Sequence, residues 1–120
     1  CSQDAFKVPN PHLFVFQLDT FYIIFGNIAN KVLDVQLISR GGVSGTVADT
    51  KLIFQSALLR LASGMILAHN HPSGNLKPSE ADKNLTRKIV DAGKTLDIAV
   101  LDHIIVGDNA YFSFADEGMM

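Results

Sequence analysis

"HNHPSGNLKPSEAD", residues 69–82, sets two histidines, two prolines, two serines and an aspartate within fourteen positions of an otherwise apolar chain. Just before it, "MILA" (65–68) is a short apolar run bounded by turn residues, as a buried strand would be. If the chain leaves that strand extended, His69 and His71, two apart, point to the same side. Pro72 cannot continue the strand, and "SGNLKP" turns the chain toward Ser79. From there "PSEADKNLTRKIVDAG" shows a cap-like Ser79, acidic residues in a first turn and a glycine at Gly93, which predict a helix from about Ser79 to Gly93. The stretch therefore reads as strand, loop and helix in succession.

Working outward, "TFYIIF" (20–25) is rich in aromatic and β-branched residues and reads as a strand. "GNIAN" (26–30) supplies turn residues, and "KVLDVQLI" (31–38) alternates apolar and polar side chains with the period of two of a half-buried strand. Together they predict an antiparallel hairpin. "SRGGVSGTVADT" (39–50) is a loop whose Asp49 or Thr50 can cap a helix beginning at its end. "KLIFQSALLRLAS" places Leu52, Ile53, Ser56, Leu59 and Ala62 near helical spacing, with an end near Ser63 and Gly64. "DIAVLDHIIVG" (97–107) and "AYFSFA" (110–115) are β-rich runs separated by "DN", a second hairpin. The order β-β-α-β-α-β-β implies an α/β fold in which helices pack on a mixed sheet.

At 120 residues the chain has the size of one domain. Hydrophobic residues make up 48% of it and charged residues 18%, which excludes a disordered chain. Its apolar stretches fall far short of the roughly 20 residues that span a bilayer, and no secretory signal is visible. Cys1 is the single cysteine and forms no internal disulfide, which points to a reducing compartment, the cytoplasm. A formal net charge of −2 gives no general attraction to nucleic acid. Lys77, Lys83, Arg87, Lys88 and Lys94 are half of the basic residues, and they are expected to form a solvated helix face.

The opening stretch admits two chemistries. Asp82, in the first turn of the helix, can project back toward the two imidazoles. Two neutral nitrogens and one carboxylate leave a fourth position open, the composition of a catalytic zinc site and not of a closed structural one. Equally, Ser79-x-x-Asp82 has the form of a helix-capping pair, and a histidine at a strand end is commonly a satisfied polar residue. Capping alone does not account for the His-x-His pair, the following proline and the Ser-x-x-Asp taken together.

The stretch closely resembles the metal-binding motif of the JAB/MPN metallopeptidases, His-x-His-Pro, six residues, then Ser-x-x-Asp, and in particular the RadC family. The resemblance continues in "GGVSGTVAD", "ILAHNHPSG", "VLDHIIVG" and "YFSFADEG", over residues 20–120, with 1–19 a divergent N-terminal lead-in. It implies the JAB/MPN sandwich, which is similar to that of the cytidine deaminases. It also implies a zinc ion held by His69, His71 and Asp82 with a water in the fourth place. Ser79 would donate a hydrogen bond to the oxyanion that develops on an amide or isopeptide carbonyl. The family's general base is a glutamate near the start of the first strand, and Asp19 stands at the matching position here. Either Asp19 takes that role, or the chain is a weak or inactive relative, or a glutamate lies outside the given chain. The resemblance leaves His103 outside the metal set; it and Asp102 are expected to be structural, and His12 has no role. The expected partner is a peptide or isopeptide substrate. A nucleic-acid module tied to DNA repair is the alternative that the family's name carries, with weak binding or none expected from the charge; a metal-binding pseudoenzyme is the third.

Overall fold

The computed structural model describes residues 20–40, 49–71, 75–107 and 109–120. Its elements run β1 (Thr20–Gly26), β2 (Val32–Arg40), α1 (Thr50–Leu59), β3 (Gly64–Asn70), α2 (Glu80–Leu96), β4 (Ala99–Val106) and β5 (Tyr111–Ser113). This is the expected order of elements, and the architecture is α/β with a mixed five-stranded sheet. The strands lie in the order β2-β1-β3-β4-β5. Among the described strands only β3 and β4 are parallel, joined through α2; every other neighbouring pair of them is antiparallel.

The β1–β2 hairpin forms where Asn27 Oδ1 accepts from the backbone N–H groups of Ala29 and Lys31, and Asn30 turns into the left-handed region at φ 58°. Asparagine tolerates that conformation and supplies the local acceptor, so the turn chemistry comes from the residues themselves. Alternation along β1 and β3 then divides the sheet. Phe21, Ile23, Phe25, Met65 and Leu67 join Ile53, Phe54 and Ala57 of α1 and Ile89 of α2 in the main core. Ile24 and Ile66 form a smaller cluster with Val32, Val35, Leu101 and Ile104. In α2 the buried residues Asp82, Thr86, Ile89 and Gly93 recur at helical spacing and make one inward stripe. Lys77, Arg87, Lys88 and Lys94 are exposed and Lys83 is half-buried, so the basic cluster is a solvated face.

Besides β2, which runs on to Arg40 where a loop is expected from Ser39, and β5, which stops at Ser113 and not at Ala115, three boundaries differ from expectation. Asp49 caps α1, accepting from Lys51 N–H at 2.9 Å, but the helix stops at Leu59 and not near Gly64. Leu61 takes the left-handed turn (φ 51°), the Ala62 N–H reaches back to the Ala57 carbonyl, and Ser63 already bonds to Gly26 at the sheet. The buried face of α1 accordingly carries Ile53, Phe54, Ser56 and Ala57, while Leu52 and Leu59 are exposed. The second helix runs past Gly93 to Leu96, with Asp97 in the left-handed position (φ 57°). Gly93 is an interior residue: a Cβ there would sit 2.4 Å from the carbonyl oxygen of Ile98. Finally, β3 extends through His69 and Asn70, because both pair across β1 and β4 in register. His69 is therefore held by a strand hydrogen-bonded on both sides.

Candidate metal centre

His69 lies opposite Phe21 of β1, and its ring packs beside that phenylalanine with centroids 5.6 Å apart. The backbone of His71 is tied to β4 by its N–H, which donates to the Val106 carbonyl at 2.9 Å. The two imidazoles meet edge to face with centroids 4.3 Å apart. Across from them, α2 begins with a complete capping box: Ser79 Oγ accepts from Asp82 N–H at 3.0 Å, and Asp82 Oδ2 accepts from Ser79 N–H at 2.9 Å. The capping reading of the sequence is thus realised, and it does not compete with the other one. One carboxylate oxygen serves the cap, and the second, Oδ1, faces His69 Nδ1 at 3.6 Å.

One donor atom from each of His69, His71 and Asp82 lies within 4.8 Å of the others, so the three could hold a metal ion. Three details fit one. Two ligands bound at 2.0–2.1 Å in a tetrahedral site stand about 3.3 to 3.4 Å apart. The 3.6 Å between His69 Nδ1 and Asp82 Oδ1 is close to that edge and long for a hydrogen bond. Second, His71 Nδ1 is 2.8 Å from the Asn75 carbonyl oxygen. A carbonyl only accepts, so Nδ1 carries the proton and the neutral ring presents the Nε2 lone pair, the arrangement usual for a metal-ligating histidine. Third, both nitrogens of the buried His69 lack a hydrogen-bond partner among the described residues.

The charge state fits as well. Burial by itself would raise the pKa of Asp82, but the facing His69 ring, together with the backbone N–H and hydroxyl of Ser79, outweighs it. The carboxyl is held well below the usual carboxylate range and is ionised at neutral pH.

Beside the cluster lies a layer that sequence reading did not assemble. His103 is fully buried and stacks on Phe114 with centroids 4.5 Å apart. Its Nδ1 is 2.6 Å from Thr86 Oγ1, which donates to the backbone carbonyl of Asp82 at 2.7 Å. Burial pushes the His103 pKa down to about 3; His69 and His71 add to the shift, and Asp82 opposes it. Thr86 was missed altogether, although its place four residues after Asp82 puts it on the same helix face. Asp102 is structural: Oδ1 accepts from the N–H groups of His103 and Ala115, and Oδ2 from the Ser113 hydroxyl, tying β4 to β5 and the turn after it. Asp19, His12 and the rest of the lead-in lie outside the described residues.

A family model for the RadC-like JAB domain matches residues 1–119. The chain is 45% identical over 118 residues to a UPF0758 protein of Flavobacterium johnsoniae, covering 98% of this chain and 52% of that protein. It is 43% identical over 120 residues to one from Porphyromonas gingivalis, covering 99% and 53%. Against a Methanosarcina acetivorans relative the identity is 36% over 121 residues, covering 100% and 53%. The chain thus spans about half the length of the curated relatives it matches. With the family match running along nearly the whole sequence, and with its two histidines and aspartate gathered at one end of the sheet, the chain belongs to the RadC-like JAB domain family.

Proposed function

We propose that the chain is a zinc-dependent hydrolase of the JAB/MPN type, cleaving an amide or isopeptide bond in a peptide substrate. The observation that carries this reading is the convergence of His69, His71 and Asp82, with their donor atoms within 4.8 Å. Zinc, when bound, supplies a Lewis acid that polarises a carbonyl and makes water acidic near neutral pH. The residues do the rest. His71 is turned by the Asn75 carbonyl to offer Nε2, and the ionised Asp82 offers Oδ1 while Oδ2 stays on the cap. Capping uses the Ser79 oxygen as acceptor, so its hydroxyl proton, which otherwise favours the Asp82 carboxylate, can turn to donate to the oxyanion of the attacked carbonyl. Asp19 takes the proton from water and passes it to the leaving amine. No nucleic acid is needed for this chemistry, and the net charge of −2 does not attract it.

The second reading, a metal-binding pseudoenzyme, is favoured by one observation, the aspartate at position 19 where the family has glutamate. One experiment separates the two. Zinc content is measured after reconstitution, beside turnover of an isopeptide-linked test substrate. About one zinc per chain, lost in the His69→Ala, His71→Ala double variant, together with turnover, supports the hydrolase. Zinc without turnover supports the pseudoenzyme. Absence of zinc sinks both.

A further inference from the structure

His103 is absorbed neither by the metal set nor by the proposed chemistry, yet it makes a buried 2.6 Å contact with Thr86. The Thr86 hydroxyl has one proton and two buried neighbours within 2.7 Å, the Asp82 carbonyl and His103 Nδ1. If Thr86 gave that proton to His103, only one of the two contacts would be a hydrogen bond. If it donates to the carbonyl, His103 Nδ1–H donates to the threonine oxygen and both are made. The second arrangement wins, because an unmade bond between buried polar groups costs on the order of 1 kcal/mol or more. It leaves His103 Nε2 as a bare acceptor, buried and without a partner among the described residues.

The neighbouring ring has the complementary deficit. Both nitrogens of His69 are buried and unpartnered among the described residues, and the two imidazole centroids are 6.5 Å apart. A neutral imidazole that gives its lone pair to a metal keeps one N–H, and that N–H needs an acceptor. We propose that His103 is a positioning residue of the metal site, with Nε2 accepting the remaining N–H of His69 through one water, and Nδ1–H holding Thr86 on the carbonyl of Asp82. A single ring then braces two of the three ligands, one on β3 and one on α2. This rests on the metal reading above. A bridging water places two imidazole centroids about 6 to 7 Å apart, which accommodates the observed separation.

The test uses the wild-type chain and two variants. Asparagine in place of His103 keeps a donor near Nδ1 and removes the acceptor, whereas glutamine places an amide oxygen near Nε2. Zinc affinity, measured by competition with a chelator, should fall about 10- to 100-fold in His103→Asn and less in His103→Gln. Nitrogen-15 NMR of histidine-labelled, metal-free wild type should show His103 protonated on Nδ1, a readout that no variant's folding can disturb. Protonation on Nε2, equal zinc affinity of wild type and His103→Asn, or a larger loss in His103→Gln than in His103→Asn each overturns the proposal. Wild type that takes up no zinc overturns the metal reading and this role with it; that failure is recognised because the Nδ1–H signal persists.

Discussion

Replacing Gly93 by alanine should destabilise the domain, although the same change in an ordinary helix interior stabilises it. An alanine is worth roughly 0.8 to 1.0 kcal/mol more than glycine there. In α2, however, the added Cβ would lie 2.4 Å from the carbonyl oxygen of Ile98 and 3.3 Å from Val100 Cγ2. Carbon and oxygen approach to about 3.3 Å, so the helix and the turn that follows it must separate by roughly 0.9 Å. The segments are also joined by the bond from Ile98 N–H to the Gly93 carbonyl at 2.9 Å, which would stretch as they part. Overpacking costs about 1 to 3 kcal/mol and a weakened hydrogen bond about 0.5 to 1.5. After the propensity gain is subtracted, the net loss is about 0.5 to 3.7 kcal/mol. Urea denaturation should show a midpoint lower by about 1 M with an unchanged slope. Metal content should stay the same, since Asp82 lies eleven residues away, about 16 Å along the helix. A Gly93→Ala variant as stable as wild type would refute the reasoning, because the backbone contact would then relax at no cost.

Acid should destabilise the fold through His103. Its folded pKa is about 3 against 6.5 in the unfolded chain, so between those values the unfolded state holds the extra proton and stability falls as pH falls, by up to about 1.4 kcal/mol per unit. Urea midpoints at pH 7 and 4.5 should differ less in His103→Asn; equal differences would remove His103 as the cause. Ser79→Ala should lose about 1 kcal/mol and Ser79→Gly only a few tenths, because glycine is a competent cap. If the hydroxyl donates to the oxyanion, hydrolysis falls alike in both; turnover that follows stability instead would leave Ser79 a cap alone. Asp19→Glu should raise turnover at constant zinc content, since about 1 Å of misplacement costs on the order of a hundredfold, and Asp19→Asn should remove most of the activity that remains. Equal rates in all three would send the search for a base elsewhere. Binding to DNA should be weak and vanish as salt rises; a complex that survives physiological salt would put the nucleic-acid module first.

What the sequence revealed is what local chemistry encodes. Ser79 and Asp82 announce the start of α2 because a capping box is made by residues three apart, and His69 and His71 fall on one side because a strand has a period of two. Both signals survive translation into three dimensions, and the gathered donors follow from them. Helix ends were harder. Gly93 looks like a terminator, but its lack of a side chain serves an approach by Ile98 that no local pattern reports. In α1, Leu52 and Leu59 look like core residues by type, yet they are exposed, while the smaller Ala57 is fully buried against the sheet. His103 and Thr86 are seventeen residues apart and meet only when β4 packs on α2, so neither announces the other.

The crossover from β3 through α2 to β4 contains His69, His71, Ser79, Asp82, Thr86 and His103 within residues 64–106. In the sequence Asp19 comes before β1 and outside that crossover. On the proposed function, holding a metal and accepting a proton are therefore separately mutable. On that reading a lineage can drift at the first strand's entrance, and lose or retune turnover, while every group proposed to hold the ion stays untouched. Inactive metal-binding descendants should arise in such a scaffold by a single mutational step, and recover by one.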